Sequence, residues 1–134
     1  MSNPNAAHAA MVHHLKKPGE AIQAQLTPDK VDVLHMAIGI SGEAGELLDA
    51  VKKHTVYNKE LDRKNIVEEL GDLEFYMEGL RQRLKISREE TLEANIDKLA
   101  TGKNARYKDG YTDAAAQARA DKSEPDSPDP ARTE

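Results

Sequence analysis

The chain has 134 residues, a formal net charge of -5 and no cysteine. Disulfides, thiolate metal sites and cysteine nucleophiles are therefore excluded, and no dense basic stripe exists to hold a duplex nucleic acid. Only 4% of residues are aromatic, with one Phe and no Trp, so any core is made of Leu, Ile, Val, Ala and Met, a palette that favours helices over sheets.

From the start, residues 5–17 read as a short Ala-rich helix stopped by Pro18-Gly19. A brief segment, 20–26, leads to Thr27-Pro28-Asp29, an N-cap with proline at the first helical position. The long helix it opens runs to about Lys53, with Val31, Leu34, Ile38, Leu47, Leu48 and Val51 on an apolar stripe. Gly39, Gly42 and Gly45 interrupt its middle at roughly 1 kcal/mol each, a cost that close approach of a partner helix or a ligand would justify. After a polar loop, Asp62 caps a second long helix ending near Leu84, with Ile66, Leu70, Leu73, Met77 and Leu80 on its stripe. Ser87-x-x-Glu90 is a capping box for a further helix to about Ala100. Asp109-Gly110 marks a turn, 113–122 a short Ala-rich helix, and the Pro- and acid-rich residues from Ser123 onward cannot build a core. The expected fold is an all-α helical bundle. Its parts are short helices in 1–26, a core in 27–112, and an Ala-rich helix with a disordered tail in 113–134.

No apolar run approaches ~20 residues, so no membrane span is expected. The opening residues lack the basic-then-apolar order of a signal peptide, and the expectation is a soluble cytoplasmic protein.

The most informative elements are two acidic motifs, Glu43-Ala-Gly-Glu46 on the first long helix and Glu69-Leu-Gly-Asp72 on the second. Each sets two carboxylates at i and i+3, on one helix face. None of the four has a Lys or Arg three or four residues away. If the helices pack together, four anions converge without an intrahelical cation, which is costly unless they protonate or bind a cation. Two readings stand: a pair of solvated faces, or a site for a hard divalent cation such as Mg²⁺ or Mn²⁺ that takes oxygen ligands. A di-iron bundle would carry Glu-x-x-His on two helices. The nearest pattern, Asp32-x-x-His35, lies upstream of the acids.

The blocks HMAIGISGEAGELLDAVKK and NIVEELGDLEFYMEGL, with ANIDKL downstream, resemble the all-α nucleoside triphosphate pyrophosphatases, and the compact chain with its Ala-rich tail is most similar to phage-type MazG proteins. The resemblance covers about 30–112. It implies metal-dependent hydrolysis of a nucleoside triphosphate to monophosphate and pyrophosphate. It implies two or more Mg²⁺ ions on Glu43, Glu46, Glu69 and Asp72, with Mn²⁺ substituting; one of these carboxylates should double as general base for the attacking water, and Glu46 is the residue expected in that role. It further implies substrate contacts from Tyr76, from Asn95 and Lys98 of an Asn-x-x-Lys element, and from Arg106-Tyr107, although the intervening ATGKNA is longer than in some relatives. His35, two turns before Glu43, is a candidate for the base pocket, against a satisfied core histidine. The lack of Trp, which some pyrimidine-specific relatives use, tilts the expected substrate toward a purine deoxynucleotide such as dGTP. A homodimer, or a tetramer of paired dimers, is expected to complete the bundle. A phage-encoded chain would work in the host cytoplasm. A catalytically silent helical scaffold is the alternative from another functional class, and a pyrophosphatase of another nucleotide such as dCTP or dUTP is the alternative within the same class.

Overall fold

The computed structural model describes residues 3–119. They form α1 (Pro4–Leu15), α2 (Gly19–Gln23), α3 (Pro28–Thr55), α4 (Arg63–Leu84), α5 (Arg88–Ile96), a π turn (Asp97–Thr101) and α6 (Asp113–Ala118). Among the described residues there is no strand, and no helix is long and apolar enough to cross a membrane. The chain divides into two compact units, one up to Leu84 and one from Lys85. The acidic tail from Ser123 lies outside the described residues.

The first unit is organised by α3 and α4. Thr27 caps α3 by accepting from the Lys30 amide (3.4 Å), and Pro28 occupies the first turn, where its missing N–H costs nothing. At the other end of the hairpin, the Asp62 carboxylate accepts from the Asn65 amide (3.0 Å) and opens α4. The connecting residues 56–62 are held by bonds from the Lys59 amide to the Lys53 carbonyl (3.1 Å) and from His54 Nδ1 to the Lys59 carbonyl (2.8 Å). Asn58 supplies the left-handed backbone there, with φ 52°. The short loop makes the two helices antiparallel neighbours. Gly39 therefore faces Tyr76, Gly79 faces Met36, and the Arg83 guanidinium bridges Asp29 and Asp32.

Packing in this unit is thin. Ala50 is the only apolar residue among those described that is buried, and the only buried polar one is Glu69, 9% exposed. Leu47, Leu73, Met77 and Leu80 are half-buried. Ile38 (61%), Leu48 (67%), Val67 (59%) and Phe75 (67%) stay exposed.

The second unit begins after Lys85, whose left-handed φ of 57° follows the end of α4. Ser87 accepts from the Glu90 amide (3.0 Å), as the capping box requires. The helix expected to reach Ala100 instead leaves α geometry after Ile96 and widens into the π turn. Asp109-Gly110 is a turn: Gly110 has φ 96° and donates to the Tyr107 carbonyl (2.9 Å). Thr112 then caps α6, accepting from the Ala115 amide (3.0 Å).

Candidate metal and nucleotide site

The i, i+3 spacing on two antiparallel helices brings Glu43 from α3 against Glu69 and Asp72 from α4. One carboxylate oxygen from each lies within 4.8 Å of the other two. Glu43 is half-buried, Glu69 buried and Asp72 exposed, so the cluster runs from the helix seam to solvent. Glu46 stands outside this trio. It is exposed and lines the adjoining groove with Gly42, Gly45, Asp49, Lys53, Asn65 and Glu69, a space of about 240 Å³.

The electrostatics follow from that placement. Burial pushes the Glu69 carboxyl pKa upward, and the neighbouring charges of Glu46, Glu43, Asp72 and Glu68 raise it further. Lys53, which lines the same groove, is committed to Asp49 at 2.9 Å. That hydrogen bond is the main cause of the raised Lys53 pKa, with smaller contributions from Asp62 and Glu69, and it holds Asp49 low. A buried carboxylate flanked by like charges is destabilised unless a cation joins it. The donor set is all carboxylate oxygen, which suits a hard divalent ion. The residues present fit such an ion, with Glu43, Glu69 and Asp72 as the nearest ligands.

One further turn along the hairpin, the groove meets a larger cavity of about 470 Å³. It shares Lys53 and Asn65 with the groove and adds Ala50, Tyr57, Lys59, Glu60 and Asp62. Lys52 lies over the Tyr57 ring, 5.6 Å from its centroid.

On the opposite side of the acids, Tyr76 packs across Gly39, where a methyl group would overlap its ring. His35 meets Tyr76 edge-on (6.3 Å between centroids), and Phe75 does the same (5.2 Å). His35 is exposed in this unit, so it is not a buried core histidine here.

Asn95, Lys98, Arg106 and Tyr107 all belong to the second unit. Asn95 and Lys98 are exposed, and Arg106 and Tyr107 are half-buried. The long ATGKNA insert is accounted for by a reversal of the chain. The Arg106 amide donates to the Lys98 carbonyl (3.1 Å) and the Tyr107 amide to the Leu99 carbonyl (2.8 Å), so Arg106 returns to the backbone of Lys98. The Arg106 guanidinium lies 5.7 Å from the Tyr107 ring centroid.

Asn65, which lines the acidic groove, was not singled out from sequence as a site residue. Its signal was present, since it lies one helical turn before Glu69 on the same face. The π turn had no such signal, because apolar spacing does not distinguish a single widened turn from an α-helical one.

A family model described as the MazG nucleotide pyrophosphohydrolase domain matches residues 32–107. No curated protein and no solved structure matches the chain.

Proposed function

Because the chain belongs to the MazG nucleotide pyrophosphohydrolase family and is a hydrolase of phosphoric anhydrides, we propose that the acidic cluster of α3 and α4 is its active site, converting a nucleoside triphosphate and water to the monophosphate and pyrophosphate. The observation that carries this reading is the convergence of Glu43, Glu69 and Asp72 within 4.8 Å around a buried carboxylate whose pKa is raised. Residues 27–112 are taken as the catalytic core, in keeping with the matched segment 32–107.

Mg²⁺ or Mn²⁺, two or more ions by the resemblance, would be held by Glu43, Glu69 and Asp72, neutralising the phosphate chain and making water acidic enough to attack at neutral pH. Glu46 lies outside the trio yet beside Glu69, which suits it to accept the proton of the attacking water while the other three hold the charge frame. Asn95, Lys98 and Arg106 are donors toward the sugar and phosphates, and Tyr107 backs the Arg106 guanidinium. Tyr76 and His35 form an aromatic edge next to the acids and are assigned to the nucleoside end of the substrate. The absence of Trp favours a purine deoxynucleotide such as dGTP.

A homodimer, alone or paired into a tetramer, is the proposed working form. Ile38, Leu48, Val67 and Phe75 leave the two acid-bearing helices with apolar surface that a second copy would cover.

Pyrophosphate release from each of the eight canonical NTPs and dNTPs, with Mg²⁺ and with excess EDTA, tests the reading. One purine deoxynucleotide should be preferred, and the chelator should abolish turnover. Undiminished turnover in EDTA would remove the metal from the mechanism. No release from any nucleotide would favour the silent scaffold instead.

A further inference from the structure

We infer that Asp49 is a positioning residue that holds the Lys53 ammonium off Glu46 and Glu69 and so leaves the carboxylate cluster open to its cation; this rests on the metal reading proposed above. Glu43, Glu46 and Asp49 follow one another at intervals of three along α3, a ladder of carboxylates on one face. Asp49 alone among them has lysines within helical reach, Lys52 and Lys53. The Lys53 ammonium stands 2.9 Å from its carboxylate. Side chains on a helix lean toward the N-terminus, so a lysine at 53 is aimed back along the ladder. Asp49 intercepts it one turn before Glu46.

The competing partners are close. Lys53, Glu46 and Glu69 line the same space of about 240 Å³, and Lys53 is the only cation among the described residues that line it. Its pKa is raised chiefly by the hydrogen bond and charge of Asp49, with smaller pulls from Asp62 and Glu69. Of these two, Asp62 already accepts from the Asn65 amide (3.0 Å). Glu69 has no ion pair among the described residues and is buried beside Glu46, Glu43 and Asp72. An ammonium released from Asp49 therefore finds its least neutralised neighbour in Glu69. Seated there, it would cancel the charge of one metal ligand, and an arriving ion would have to displace it. Other cations near the cluster are tied down in the same manner. Lys64 is held by Glu68 at 3.5 Å, and Lys52 lies over the Tyr57 ring.

The test uses the full chain without nucleotide, at about 0.15 M salt so that distant charges are screened. It reads Mn²⁺ binding from the loss of the free-ion paramagnetic resonance signal. The proteins are wild type, Asp49→Asn, Lys53→Met, the double variant and Asp49→Glu. Asp49→Asn should weaken binding about fivefold, the upper size of one ion pair at a protein surface. In the Lys53→Met background the same substitution should change binding less than about 1.5-fold, because no ammonium remains to move. Asp49→Glu, which still meets Lys53 at i+4, should stay within about twofold of wild type. Circular dichroism checks that each protein is folded, and Asp49→Ala takes the place of Asp49→Asn if the latter is not. Equal losses in both backgrounds would mean that Asp49 acts through its own charge, as a ligand or at a distance. That result would overturn the positioning role and leave the metal reading intact, as would an Asp49→Asn protein that binds Mn²⁺ like wild type. If wild type binds no Mn²⁺, the metal reading itself fails and the inference falls with it.

Discussion

Gly39 and Gly79 sit at a closed level, where side chains of the α3–α4 pair crowd them, whereas Gly42, Gly45 and Gly71 are exposed at an open level, with free space around them. At the first pair the space of a side chain is already taken, by the Tyr76 ring and by Met36. At the other three a Cβ would meet nothing within 4 Å. Each helical glycine costs roughly 1 kcal/mol relative to alanine. At Gly39 and Gly79 that cost is offset by close packing. No contact within the unit offsets it at Gly42 and Gly45, which line the groove beside Glu46 and Glu69. The same residue type therefore marks a structural joint at one level of the hairpin and vacant room beside the carboxylates one turn later.

The largest expected effect lies at the open level and touches chemistry alone. Asp72→Asn and Glu69→Gln should each lower kcat by at least ~100-fold, the scale of lost charge stabilisation at a reacting centre. Helicity should be unchanged by circular dichroism; a collapse of helicity would mean that the acids are structural. The next effect lies at the closed level. Gly39→Ala should destabilise by about 1–3 kcal/mol, as overpacking does, measured by urea denaturation. Gly79→Ala should cost less, because the flexible Met36 side chain can move. Gly42→Ala and Gly45→Ala should do the opposite, adding up to ~1 kcal/mol of stability while lowering kcat/KM. If both glycine pairs behave alike, the distinction between joint and vacancy is lost.

Two smaller effects separate the anions themselves. In EDTA, Glu69→Gln should raise the melting temperature, since it removes a buried charge repelled by Glu46, Glu43 and Asp72. Adding Mg²⁺ should stabilise wild type more than the variant, and an equal response in thermal melts would count against Glu69 as a ligand. Asp49 has the contrary environment. Lys53 holds its pKa below the ordinary 3.8, so its contribution is present above that value and lost as pH falls through the lowered one. Asp49→Asn should therefore lower stability slightly at neutral pH and leave it unchanged at low pH, which flattens the acid limb of melting temperature against pH. Both partners are exposed, which keeps this effect the smallest.

Local chemistry was the legible part of this sequence. Thr27, Asp62 and Ser87 all cap where their side chains and neighbours indicated, and Asp109-Gly110 turns as expected. The two acidic motifs were legible because an i, i+3 spacing fixes a helix face irrespective of tertiary detail. What remained hidden depends on contacts between residues far apart in the chain. That Gly39 serves Tyr76 while Gly42 serves no side chain depends on the level at which α4 crosses α3, which hydrophobic periodicity leaves open. The split of the quartet into a trio and a separate Glu46 follows from the same crossing. Likewise, the stripe predicts that Leu47, Leu73, Met77 and Leu80 are apolar-face residues. That these are half-covered while Ile38, Leu48, Val67 and Phe75 are bare is decided by how the two helices are rotated against each other.

The thinness of the interior has a consequence for dosage. With Ala50 and Glu69 alone buried among the described residues, one copy by itself removes little apolar surface from water, and in the proposed homodimer the half-covered Leu47, Leu73, Met77 and Leu80 would gain further burial. Folding and association would then become a single mass-action equilibrium. The melting temperature should climb with protein concentration, and turnover per molecule should rise with it. A cell holding few copies would possess less active enzyme than a simple count of chains suggests.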